Sequence, residues 1–254
     1  MLFENQRILV VGGFGLIGNA LRKTIEREGG STILTTRDPQ KVKHFNQKTD
    51  KSQSKSRAIK LSFETKASVE RQIKTLLEDN KPIDGYVHNA YMKCAFKPVG
   101  SIPWNYWEES IRVSVAACET ISSLLITNIN KTKLKSVVNV SSIYGAQAPQ
   151  FFMYDKSTQP NPIYYGAIKS SVNSLTKYLA AYYGPQGIRF NTISPAGINN
   201  GQESSFLKRY NATVPMERMV EPSEVCEAIS FLLSAKASGI TGQNLFIDAG
   251  KTLW

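Results

Sequence analysis

The chain has 254 residues, 41% of them hydrophobic, and carries 31 Lys and Arg against 20 Asp and Glu, a formal charge of +11. That length and apolar content suit one domain with a sizeable core. Two histidines, His44 and His88, and three widely separated cysteines, Cys94, Cys118 and Cys226, argue against a metal site, a disulfide framework or a histidine-based triad.

The chain opens with "MLFENQRILVVGGFG", a β-branched run leading into glycines, which reads as a first strand and not as a leader. No stretch approaches the roughly 18 consecutive apolar residues of a membrane span, so a soluble, cytoplasmic protein is expected. Strands are predicted at 7–11, 31–36, 58–61, 84–88, 135–140, 188–193 and at "NLFI" near the end. Helices are predicted at 16–28, 67–79, 104–128, 163–183 and 221–234, with a variable loop before the last. The segment 46–57, rich in Ser, Lys and Gln, reads as a low-complexity loop. Short, unalternating apolar strands separated by helices predict an α/β, doubly wound Rossmann fold: a parallel sheet of about seven strands with helices on both faces. One domain over 1–254 is expected. In such a sheet ligands bind beyond the carboxyl ends of the strands.

Much of the positive charge lies in "KVKHFNQKTDKSQSKSRAIK", residues 41–60, which has one phenylalanine and no nucleic-acid-binding signature. It reads as a solvated surface or as attraction for a phosphate-bearing small molecule, with neither nucleic acid nor membrane as partner.

"VVGGFGLIGNAL" follows the first strand and opens a helix, with Gly12, Gly15 and Gly18 at three-residue spacing. Such glycines tighten the turn, admit a pyrophosphate and let the helix pack on the strand, while the helix N-terminus favours negative charge. The second strand ends "LTTRD". Arg37 there would pair with a 2′-phosphate and favour NADP; the alternative is that Asp38 holds a free ribose hydroxyl, as NAD requires. Tyr165 and Lys169 in "NPIYYGAIKSS" share a helix face. With 11 tyrosines in the chain, one Y-x-x-x-K pair is no more than chance supplies, so its context must decide.

With the glycine loop, "HNA" after the fourth strand, "VVNVSSIYG" on the fifth, the Tyr165/Lys169 pair and the final "GQNLFIDAG", the sequence resembles the single-domain branch of the short-chain dehydrogenase/reductase family over nearly its whole length. The resemblance implies an NAD(P)-dependent oxidoreductase. It implies that Ser142 binds the substrate oxygen, that Tyr165 is the acid/base, and that Lys169 binds the nicotinamide ribose and lowers the tyrosine pKa. Cofactor contacts are implied for Gly12, Phe14, Gly15, Leu16, Ile17, Gly18, Arg37, Ser62, Asn89, Ala90, Tyr165, Lys169, Pro195, Gly197 and Ile198. A homodimer or homotetramer built on helices 104–128 and 163–183 is implied as well.

Several positions depart from the family pattern. Val11 replaces the usual threonine, and the glycine spacing is that of the epimerase-like branch. Tyr91 replaces a glycine of N-N-A-G, Ser62 replaces an acidic residue after the third strand, and Ser114 replaces the asparagine of the proton relay. Ser142 and Tyr165 are also further apart than usual, because "APQFFMYDKSTQPNP" intervenes; Phe151, Phe152, Tyr154, Asp155 and Lys156 would reach over the site. This insertion reads as a wall that shapes the substrate site or, alternatively, as a surface loop. Together with "SSIYGAQAPQF" and "YYGAIKSS" it is similar to oxidoreductases of flagellin modification and of nonulosonic-acid (legionaminic or sialic acid-like) sugar pathways.

The expected activity is NADP-dependent interconversion of an alcohol and a ketone, on a phosphorylated or nucleotide-activated, hence anionic, sugar of surface-glycan synthesis. Tyr91, Tyr144, Tyr154, Asn199 and Asn200 are candidate substrate contacts. A ketone or 3-oxoacyl thioester reductase is the alternative within the family. A catalytically silent NADP-binding regulator is the alternative outside enzymes.

Overall fold

The computed structural model describes residues 1–52, 55–79, 81–92, 96–154 and 160–253. Seven parallel strands, β1 (Arg7–Val11), β2 (Ser31–Thr36), β3 (Arg57–Lys60), β4 (Gly85–His88), β5 (Ser136–Val140), β6 (Arg189–Pro195) and β7 (Asn244–Ile247), form one sheet in the order β3-β2-β1-β4-β5-β6-β7. The chain leaves β1 toward β2 and β3 and returns on the other side of β1 with β4, so the order reverses between β1 and β4, where a crevice opens at the carboxyl ends of the strands.

Period-two alternation sends the two sides of β1 into different cores. Leu9 and Val11 join a cluster with Ile73, Ile121 and Leu179, while Ile8 and Val10 join one with Leu21, Val225 and Ile229. The first is closed by α3 (Lys66–Leu77), α5 (Ala117–Thr127) and α6 (Ile163–Tyr183), the second by α1 (Leu16–Arg27) and α8 (Pro222–Leu233).

Two predicted loops are helical. α2 (Pro39–Ser52) runs through the basic segment, because Asp38 Oδ1 accepts from the amides of Gln40 at 2.9 Å and Lys41 at 3.4 Å, and proline fits a first helical turn. Phe45 turns inward against Phe14, with ring centroids 5.6 Å apart. α7 (Ser204–Asn211) lies within the segment read as a variable loop and packs Phe206 and Tyr210 on the insertion.

The long helix predicted over 104–128 is interrupted. α4 (Trp104–Ile111) passes into a π segment, Arg112–Ala116, before α5. The amide of Ala117 bonds the Arg112 carbonyl, five residues back, so it does not reach the Val113 carbonyl. That carbonyl accepts instead from His88 Nε2 at 3.0 Å. Trp104–Thr127 is long and, on average, apolar enough to cross a membrane, although it is no unbroken apolar run, and more than half of its most apolar stretch is buried in the fold.

Candidate active site

Ser142 follows β5 and caps a 3₁₀ turn, Ile143–Gly145, its Oγ accepting from the Tyr144 amide at 3.2 Å. Tyr165 and Lys169 lie one turn apart on α6. What brings the helix onto the turn is a pair of glycines. A Cβ on Gly145 would stand 2.8 Å from the Lys169 carbonyl carbon, and one on Gly166 2.9 Å from the Tyr144 oxygen. Ser141 Oγ then donates to Lys169 O at 2.9 Å, and Asn173 Nδ2 to Gly145 O at 3.2 Å.

Lys169 is 3% exposed and donates from Nζ to Val140 O at 2.8 Å. Its ammonium stands 5.6 Å from the centroid of the Tyr165 ring and 5.5 Å from that of Tyr91. The two tyrosine rings meet edge to face at 6.3 Å. Ser142, Tyr165 and Lys169 thus share a cavity of about 480 Å³ with Tyr91, Tyr144 and Tyr154. The Tyr144 and Tyr154 hydroxyls are 2.7 Å apart, and burial pushes the pKa of both phenols up, with the neighbouring Tyr154 adding to the effect on Tyr144.

A second cavity, of about 500 Å³, lies over the other half of the crevice and shares Gly15, Asn89 and Tyr91 with the first. Gly12 and Phe14 line it, as do Ala90, Arg37 and Lys41. At its floor Asn89 Nδ2 donates to Gly12 O at 2.9 Å, and Thr35 Oγ1 accepts from Gly12 N at 3.2 Å. Gly12 has φ +81°, and a Cβ there would meet the Ala90 amide nitrogen at 2.8 Å. Gly15 is the N-cap of α1, which has no side-chain cap and no acidic residue in its first turn.

The structure sorts the expected residues. Leu16 and Ile17, with Pro195, Gly197 and Ile198, line the first cavity. Gly18 lines neither; a Cβ there would meet Gly13 at 2.6 Å, so it serves the packing of α1 on the turn. Ser62 is turned toward α3, its amide donating to Gln72 Oε1 at 3.0 Å and its carbonyl accepting from Gln72 Nε2 at 3.2 Å, and Leu61 and Phe63 line the second cavity in its place. Ser114 is 2% exposed inside the π segment and lines neither cavity. Asn199 donates to Glu221 at 2.8 Å and Asn200 is exposed, so neither contacts the cavity. Asp38, the alternative partner of the ribose, is the cap of α2. Of the insertion, Phe151 and Phe152 point to solvent, Met153 and Tyr154 turn inward, and Asp155 and Lys156 lie outside the described residues.

Sequence reasoning missed Lys41, Asn161, Gln202, Phe206, Tyr210 and Met219. The Asp38-Pro39 start signal would have found α2 and Lys41; the residues from α7 carry no comparable local signal. It also missed the role of His88, which is 2% exposed. Because a carbonyl can only accept, Nε2 carries the proton toward Val113, and Nδ1 accepts from the Tyr86 hydroxyl at 2.6 Å. Burial, the largest influence, pulls its pKa down to about 4.

A parallel doubly wound sheet, a glycine turn under an uncapped helix and a Ser/Tyr/Lys wall define an oxidoreductase dependent on a nicotinamide dinucleotide. Residues 16–252 match the family model described as enoyl-(acyl carrier protein) reductase. The chain belongs to the short-chain dehydrogenase/reductase family. It is 29% identical to the post-translational flagellin modification protein A of Campylobacter coli, over 98% of this chain and 99% of that one. The 7alpha-hydroxysteroid dehydrogenase of Bacteroides fragilis is 27% identical over 99% of this chain and 96% of its own. Among solved structures, a short-chain dehydrogenase of Leptospira borgpetersenii with bound NAD+ superposes with a TM-score of 0.85 at 27% identity, covering 98% of this chain and 94% of that one.

Proposed function

We propose that residues 1–254 act as one dehydrogenase domain that interconverts an alcohol and a ketone with NADP, on a phosphorylated or nucleotide-activated sugar in surface-glycan synthesis. The observation that carries this reading is the junction of the two cavities: a Ser142/Tyr165/Lys169 wall on one side and an Arg37/Lys41 pair on the other. The residues fit the cofactor. The uncapped amides of α1 suit a pyrophosphate, and two cations where an acidic residue would serve NAD suit a 2′-phosphate. Asp38, engaged with α2, does not compete for the ribose. When bound, the nicotinamide accepts or supplies the hydride.

In the oxidative direction the Tyr165 oxygen takes the proton of the substrate hydroxyl. Lys169, a buried ammonium beside the ring, favours the ionised phenol. Ser142 donates to the same substrate oxygen and orients it. In the reductive direction Tyr165 gives its proton to the carbonyl oxygen, and Ser142 still donates to that oxygen. Hydroxyls and amides of Tyr144, Tyr154, Asn161 and Gln202 around this point suit a polyhydroxylated ring. Lys169 is the one formal charge among the described residues lining this cavity, so an anionic group on the substrate would have to lie outside it.

The flagellin-modification relative supports a place in glycan chemistry. Exposed Trp104, Ile111, Ile163, Tyr178 and Tyr182 on α4 and α6 support a homodimer or homotetramer, and a cytoplasmic site of action accords with a nucleotide-activated substrate. Oxidation of NADPH with a panel of ketoses and keto-sugar phosphates, beside thermal shifts with NADP and NAD, tests the reading. Turnover of at least one sugar with a larger shift from NADP is expected. No turnover across sugars, steroids and acyl thioesters, with NADP still bound, would leave the silent regulator.

A further inference from the structure

Lys251, in the turn after β7, is 1% exposed and plays no part in the chemistry above. Its Nζ donates to Gln150 Oε1 at 2.5 Å and to Thr213 Oγ1, and stands 3.3 Å from Met153 Sδ and 5.1 Å from the centroid of the Tyr210 ring. All of these partners are neutral. The nearest acidic residue in sequence, Asp248, turns its carboxylate to the Gly250 amide at 3.0 Å and to the Thr252 amide and hydroxyl at 2.9 and 2.6 Å. Arg209, one of two cations on α7, donates to Met153 O at 2.8 Å.

Among the described residues no carboxylate pairs with this ammonium; burying such a charge is costly, and burial pulls its pKa down to about 8. Its partners give the cost a purpose. Gln150 and Met153 belong to the insertion, Thr213 follows α7, and Tyr210 is on α7. Above the ammonium, Tyr154 packs on Phe206 at 5.8 Å and Phe206 on Tyr210 at 6.0 Å, and these three rings line the reaction cavity. Tyr210 also accepts from the Gly197 amide at 2.8 Å.

We propose that Lys251 is a positioning residue for substrate: it pins the insertion to α7 and so fixes the aromatic wall that faces Ser142 and Tyr165. The inference rests on reading that cavity as the substrate site. A pin of this kind acts on substrate binding and leaves the dinucleotide cavity, which none of its partners lines, unchanged.

The test uses the full chain with Lys251→Met, Thr213→Val and Thr213→Ser. Hydrogen–deuterium exchange of residues 149–154 is compared with that of 12–18, and kinetics use NADPH with the ketose of the panel that is turned over fastest. Expected for Lys251→Met and Thr213→Val is exchange faster by about tenfold or more in 149–154 only. KM rises by a similar factor, kcat stays within about threefold and NADPH affinity is unchanged. Thr213→Ser, which keeps the hydroxyl, behaves as the parent. Parental exchange and KM in Lys251→Met overturn the proposal, as does faster exchange spread over the whole chain in both weakened variants. If Lys251→Met does not fold, the two Thr213 variants decide. If no ketose is turned over, the proposed function falls, and the exchange pattern still decides whether Lys251 is the pin.

Discussion

The Lys169 ammonium is tied to the Val140 carbonyl at 2.8 Å, so the cation beside Tyr165 is held at the end of β5 by the backbone itself. Its charge is therefore anchored beside the Tyr165 ring. Tyr165→Phe removes only the hydroxyl, and turnover should fall by about 10²-fold to 10⁴-fold with NADPH affinity kept. Steady-state rates and calorimetric titration on one preparation check this; activity within threefold of the parent would remove Tyr165 from the mechanism.

Arg37→Asp, with Lys41→Glu beside it, replaces two cations at the edge of the second cavity by carboxylates. Preference should move from NADP toward NAD, and a lost charge-assisted contact of about 1.5–3 kcal/mol corresponds to tenfold or more in the affinity ratio. Titration with both dinucleotides reads it. An unchanged ratio places the 2′-phosphate elsewhere.

The insertion is expected to govern substrate and not cofactor. Tyr154→Phe breaks the hydroxyl pair with Tyr144 while leaving the ring on Phe206. A single hydrogen bond of about 1 kcal/mol should appear as a several-fold rise in KM. Shortening the chain between Tyr154 and Pro160 should raise it further or abolish turnover of a large sugar, with NADPH binding preserved. Unchanged constants in both variants would make the segment a surface loop.

His88 supplies a pH test. Its pKa falls from 6.5 in the unfolded chain to about 4 in the fold. Between these values the unfolded state binds the extra proton, so stability is intact above 6.5 and declines as pH falls toward 4, by up to about 1.4 kcal/mol per pH unit. Urea denaturation at pH 7 and pH 4.5 should show a steeper loss for the parent than for His88→Gln. Equal slopes would mean that the imidazole does not stay neutral in the fold.

The parallel sheet was legible because β-branched runs and helix-length spacings alternate, and the Ser142/Tyr165/Lys169 wall because each member lies in a local motif. α2 escaped because Val42 and Phe45 give it too thin an apolar stripe among lysines to register as periodic. Asn199 and Asn200 were expected at the site from their place after a strand. The turn directs them away, toward Glu221 and solvent. The pin formed by Lys251 joins three segments distant in sequence, and no spacing rule reports such a meeting.

The π segment lets the helix from Trp104 to Thr127 carry one residue more than regular winding needs. A π turn spends five residues where an α turn spends four, so deleting one residue from 112–116 would restore regular winding with α4 still facing the same way relative to α5. Tyr106 and Trp107 now lean on Tyr164, at 6.1 and 6.0 Å, next to Tyr165 in the first turn of α6. They would keep that contact, while the Val113 carbonyl would return to the helix ladder and His88 would lose its acceptor. Substitutions along this helix change its surface; removing its extra residue would instead unfasten the helix from the end of β4.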